Sequence, residues 1–115
     1  MSTTEYEGIR DERDGVVVYA GRKKLLPARS LLLRNHSPTG FEWGYGGSGP
    51  AQLALAILLD YYGDEKKAAN IYQDFKWRVI ARLPFSGWKL TGSMIEQVVR
   101  EIERDRRTLA ESRTQ

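Results

Sequence analysis

The chain has 115 residues, of which 41% are hydrophobic and 29% charged, and its formal net charge is +3. That length predicts one domain with a modest core, and the composition is that of an ordinary soluble globular protein. Without cysteine there can be no disulfides or thiolate metal sites, and a single histidine argues against a zinc or iron centre, so neither metal nor cofactor is expected.

The longest apolar run, Leu53 to Leu59, is too short to cross a bilayer. The first residues carry no basic segment followed by an apolar one, so a cytoplasmic protein with no membrane partner is expected. Charge is unevenly placed. Arg22, Lys23, Lys24, Arg29 and Arg34 fall in a stretch with no acid between Asp14 and Glu42. Such a face suits phosphate, nucleic acid or an acidic protein surface, or is simply a solvated side of a small sheet.

In chain order, residues 1–14 end in mixed charge with little to bury and read as a frayed arm. Val16-Val17-Val18-Tyr19 is β-branched and aromatic, a strand. Gly21 to Lys24 reads as a turn, and Pro27 stops the short Leu25-Leu26 piece. Ser30 to Arg34 has strand length, although periodicity leaves a helix open. Residues 35–40 are loop chemistry, and Phe41, Trp43 and Tyr45 alternate onto one side of a further strand.

A glycine-rich loop, residues 46–49, then leads into a helix that opens with Pro50 in its first turn and ends at Gly63. That helix is apolar on almost every side, which makes it the centre of the core. Asp64 starts the next helix, whose apolar set Ala68, Ile71, Tyr72, Phe75, Val79, Ile80 and Leu83 carries it to about residue 83; a strand over 77–83 is the competing reading. Trp77 falls off the apolar face of that helix. Trp88-Lys89-Leu90 is a short extended piece, and Thr91 or Ser93 caps a last helix that buries Ile95, Val98, Val99 and Ile102. Residues 104–115 read as a polar tail, so the globular domain spans 15–103. The fold class is α+β, a small antiparallel sheet from residues 16–45 packed against about three helices.

The run from Asn35 to Ala56, NHSPTGFEWGYGGSGPAQLALA, resembles the signature of an uncharacterised domain family of bacteria, phages and other mobile elements. Tyr72-Gln73, Phe75-Lys76, Val79-Ile80-Ala81, Leu83-Pro84 and Trp88 with Leu90-Thr91 are similar to that family too, so the likeness covers roughly residues 16–102. The resemblance implies a small accessory protein, of the counter-defence kind that phages carry, with a host defence protein as partner.

Gly44-Tyr45-Gly46-Gly47-Ser48-Gly49 satisfies G-x-G-x-x-G between a strand and a helix. A dinucleotide fold would need an acid at the end of a second parallel strand about twenty residues on, where this chain has a helix end. A phosphate loop of the Walker type would need Lys-Ser/Thr after the glycines, which is missing. What survives is an anion site made of loop and helix N–H groups with the Ser48 hydroxyl, or a tight turn needing glycines only to pack.

The leading expectation is a non-enzymatic protein that binds a phosphate-bearing small molecule or nucleotide signal. The candidate ligand-binding residues are Arg34, His36, Ser37, Phe41, Trp43, Tyr45, Gly46, Gly47, Ser48 and Gly49, with the aromatics stacking a base. Two alternatives stand beside it. One is an inhibitor that binds a host protein through an aromatic and basic surface, with Trp77 and Trp88 as partner or self-association contacts and a homo-oligomer as the expected state. The other is a small phosphodiesterase in which His36 acts as acid beside Arg34 or Arg29; a loop-ordering histidine is the plain reading of the same residue.

Overall fold

The computed structural model describes residues 4–38 and 40–113. Residues 1–3 of the expected arm, Thr39 of the loop and residues 114–115 of the expected tail lie outside the described residues. The fold is α+β, and the described residues form a four-stranded antiparallel sheet beside four helices.

The sheet is not confined to residues 16–45. Strand β1 (Glu5–Asp11) comes from the expected arm and lies between β2 (Gly15–Ala20) and β4 (Gly87–Thr91), antiparallel to both. Residues 5–11 look like an arm because only Tyr6 and Gly8 on β1 are buried, and an alternating strand with one buried phenol carries a faint apolar signal. Strand β3 (Lys23–Lys24) pairs only with Tyr19 and Ala20.

Ser30 to Arg34 is not a strand. Helix α1 (Ala28–Leu33) buries Ser30 and leaves Leu32 91% exposed, because the buried Gln52 amide reaches Ser30 Oγ at 2.8 Å. Nor is Phe41 to Tyr45 a strand. Gly44 adopts φ 88°, which turns the chain out of extended geometry and donates its N–H to Ile80 O at 3.0 Å.

Helix α2 (Ser48–Tyr62) is the expected centre, with every residue from Gly49 to Leu59 buried. It starts with Pro50 in its first turn and stops at Gly63 in the left-handed conformation. Helix α3 (Glu65–Arg78) is capped by the Asp64 carboxylate, which accepts from Lys67 N–H at 3.1 Å. It ends at Arg78, short of the expected residue 83, and a 3₁₀ turn over Ile80–Arg82 follows in place of either one long helix or a strand. Helix α4 (Gly92–Arg113) is capped by Thr91 Oγ1 and runs through most of the expected polar tail. Arg106 bonded to Asp74 at 2.8 Å and Arg78 bonded to Asp105 at 2.8 Å tie its second half to α3.

Tyr6, Val18, Trp88 and Leu90 from the sheet join Trp43, the apolar residues of α2, and Ile71, Phe75, Ile80, Ile95, Val99 and Ile102 in one core. Tyr6 donates its buried hydroxyl to Asp60 at 2.6 Å, fixing β1 against the far end of α2. Burial and that acceptor push the Tyr6 phenol far above its ordinary range. Among the described residues no helix is long and apolar enough to cross a membrane.

Candidate functional site

The segment between α1 and α2 is held from below by one side chain. Gln52, wholly buried on α2, accepts from the N–H groups of His36 at 2.8 Å and Ser37 at 3.1 Å, and its amide nitrogen donates to Ser30 Oγ at 2.8 Å and Arg34 O at 3.0 Å. These four bonds set the exit of α1 and the start of the loop. His36 Nε2 shares a 2.6 Å hydrogen bond with the buried Tyr72 hydroxyl. The histidine therefore orders the loop. Among the described residues neither Arg29 nor Arg34 bonds to it, and the Arg34 guanidinium turns back onto Leu33 O at 2.7 Å.

Trp43 is 0% exposed. Its indole donates to Phe85 O at 2.9 Å and meets Trp88 edge-on with ring centres 5.5 Å apart. It belongs to the core and can stack no ligand, which corrects its place among the expected binding residues. Glu42 and Arg10 form a two-bond ion pair at 2.7 and 3.0 Å. The Arg10 hydrogen bonds hold the Glu42 carboxyl below its usual range against the opposing effect of partial burial. The same guanidinium donates to Phe85 O at 2.9 Å and lies 3.6 Å from the centre of the Phe85 ring.

The glycines have structural occupants. A Cβ on Gly46 would overlap the Trp77 indole, and one on Gly47 would overlap the Tyr45 ring. A Cβ on Gly49 would lie 2.7 Å from Glu42 Cβ, and one on Gly44 would come within 3.8 Å of the Phe85 ring. The missing side chains at Gly46 and Gly47 let Trp77 and Tyr45 settle on bare backbone outside the core, and Phe85 lies in ordinary contact distance of Gly44. Tyr45 is 51% exposed, Trp77 57% and Phe85 63%. All three lie against the segment 44–47 and are termed its aromatic face.

Beside this face opens a cleft of about 920 Å³. The strand residues Val16 to Val18 line one side, and Phe41, Tyr45, Ser48 and Gly49 line the other. Of the expected ligand residues, Ser37, Phe41, Tyr45, Ser48 and Gly49 meet in it. Arg34, His36, Trp43, Gly46 and Gly47 do not line it. Among the described residues no side chain caps the first turn of α2, where Ser48 and Gly49 line the cleft together with Asp14 and Glu42.

Sequence reasoning missed Phe85, Arg10 and Glu42 as parts of this surface. Phe85-Ser86-Gly87 reads only as a turn, and nothing in an isolated sequence brings residue 10 to residue 85. The legible signal was Trp77, whose position off the apolar stripe of α3 marks an exposed indole.

Neither a curated protein nor a solved structure matches the chain. A family model matches residues 6–101, which takes in the sheet, the Gln52-anchored loop, the aromatic face and the first half of α4. The chain belongs to the family of unknown function DUF6166.

Proposed function

We propose that the chain is a non-enzymatic binding module that engages a partner protein through the aromatic face of Tyr45, Trp77 and Phe85. The observation that carries this is that Tyr45 and Trp77 each rest on a glycine, Gly47 and Gly46 respectively, that no larger residue could replace without moving the ring, while both, and Phe85 beneath Arg10, stay about half exposed. Exposed aromatics gathered at one loop beside an arginine are the composition of binding hot spots. The Arg10–Glu42 pair fixes the Phe85 side of the face, so little ordering entropy remains to be lost on association. On the resemblance of residues 35–56 to a phage and mobile-element family, a host defence protein is the partner to test first.

The test is quantitative affinity purification from host extract with the wild-type chain and with Trp77→Ala and Phe85→Ala. Proteins retained by the wild type and lost from both variants support the reading. Identical retention by all three, or no retained protein, removes it.

A second reading keeps the phosphate-bearing small molecule or nucleotide signal in the cleft, and the start of α2, uncapped among the described residues, favours it. It is the weaker of the two, because Tyr45 and Trp77 already cover the loop glycines and two carboxylates line the same cleft. Titration calorimetry against nucleotides decides it: no heat with any nucleotide removes this reading and leaves the aromatic face standing. The phosphodiesterase reading has no geometric support, since His36 is bonded to Tyr72.

A further inference from the structure

The sheet is left open along part of β2. In an antiparallel ladder successive residues direct their N–H and C=O groups alternately to one neighbour and the other. Leu25 N–H donates to Val18 O at 2.8 Å, so Val18, and with it Val16, faces away from β1 toward the β3 side. Strand β3 covers Tyr19 and Ala20 and Leu25 lies opposite Val18, before Leu26 and Pro27 carry the chain off into α1 and leave Val16 open. Among the described residues Val16 N–H, Val16 C=O and Val18 N–H therefore have no partner, and this stretch lines the cleft of about 920 Å³.

Charge gives the vacant position a polarity. Asp14 lines the cleft at the start of β2 and Lys24 at the other end, next to exposed Arg22, Lys23 and Arg29. Among the described residues none of these four cations is in an ion pair.

We infer that the open edge of β2 takes an extended peptide segment of a partner protein as an added antiparallel strand, with acidic side chains at its N-terminal end beside Lys24. The added strand continues where β3 stops. It exchanges both backbone bonds with Val16, and its side chains point alternately to Phe41 and Tyr45 on the cleft wall and to solvent. Backbone pairing supplies affinity there, and the charge gradient from Lys24 to Asp14 sets direction. This goes beyond the aromatic-face reading and does not depend on Trp77.

The experiment selects short linear peptides from a random displayed library on the full chain. The best binder is then measured by amide exchange and by anisotropy of its labelled form. Expected are peptides acidic in their N-terminal half that slow exchange of the Val16 amide. Methylating the peptide's alternate backbone nitrogens weakens binding about tenfold or more, and Val16→Pro does the same from the protein side. Trp77→Ala leaves it unchanged. The methylated peptide keeps the test decisive if Val16→Pro folds poorly. Failure to enrich any peptide overturns the proposal, as does a bound peptide that leaves the Val16 amide at its free rate. Peptides lost only in Trp77→Ala overturn it while sparing the aromatic-face reading. Protection of Val16 in the chain alone, with a doubled sedimentation mass, overturns it in favour of edge pairing between two copies.

Discussion

The Trp77 indole rests against Gly46 so closely that a single methyl group on residue 46 would occupy the ring's own space. Trp77 is 57% exposed and can swing outward, whereas Trp88, which rests on Gly8 in the same way, is 6% exposed and cannot. Gly46→Ala should therefore cost under about 1 kcal/mol of stability while displacing the indole. Gly8→Ala should cost about 3 kcal/mol or prevent folding, as overpacking of a closed core does. Denaturant titration followed by tryptophan emission reads both. Equal losses would mean that the loop is as closed as the core.

Gln52 should be the most sensitive polar residue. Replacing it with Leu preserves bulk but strands two partly buried backbone N–H groups and one carbonyl, while the Ser30 hydroxyl keeps its bond to Pro27 O. The expected loss is about 2–4 kcal/mol, with faster amide exchange concentrated at residues 34–38. A variant as stable as the wild type would show that water replaces the amide without cost.

Alkaline stability follows from two tyrosines. Tyr62 is pushed up to about 12 from 10.0, chiefly by burial and then by the Glu96 charge, and Tyr6 lies higher still. A raised folded value means these phenols stabilise the fold fully below the ordinary tyrosine range, and that contribution is lost as pH rises through the folded values. Tyrosinate absorbance should therefore lag behind that of free tyrosine and rise together with unfolding at about pH 12. Ionisation of all six tyrosines near pH 10 with the fold intact would contradict this.

The acid side is governed in part by Glu42. Its depressed value means the Arg10 pair contributes fully above the ordinary glutamate range and is lost as pH falls through the folded value. Glu42→Gln should flatten the acid limb of the stability profile and leave neutral stability lower by about 1 kcal/mol or less, since both partners are partly exposed. An unchanged acid limb would place the acid dependence elsewhere.

How much of this was legible in the sequence depends on how each element is held. Helix α2 could be read because its signals are local: Pro50 in the first turn, a continuous apolar body and Gly63 at the end. Asp64 and the stripe of α3 could be read for the same reason. Helix α1 could not, because three consecutive leucines look like a buried strand and the side chain that overrules them, Gln52, lies sixteen or more residues further on. Strand β1 could not, because its partner β4 is drawn from the other half of the domain and its inward Arg10 finds a carboxylate only in three dimensions. The glycine motif was visible but not its use. The spacing that suggests a phosphate loop serves to seat Tyr45 and Trp77.

The aromatic face is tested most directly by replacing Phe85 with a photo-crosslinking phenylalanine analogue in cells that contain the partner. The account predicts covalent adducts at position 85 that vanish when Trp77→Ala is added, and none from the same analogue at exposed Lys66 on the start of α3. Adducts that persist in Trp77→Ala, or that form equally from position 66, would contradict it.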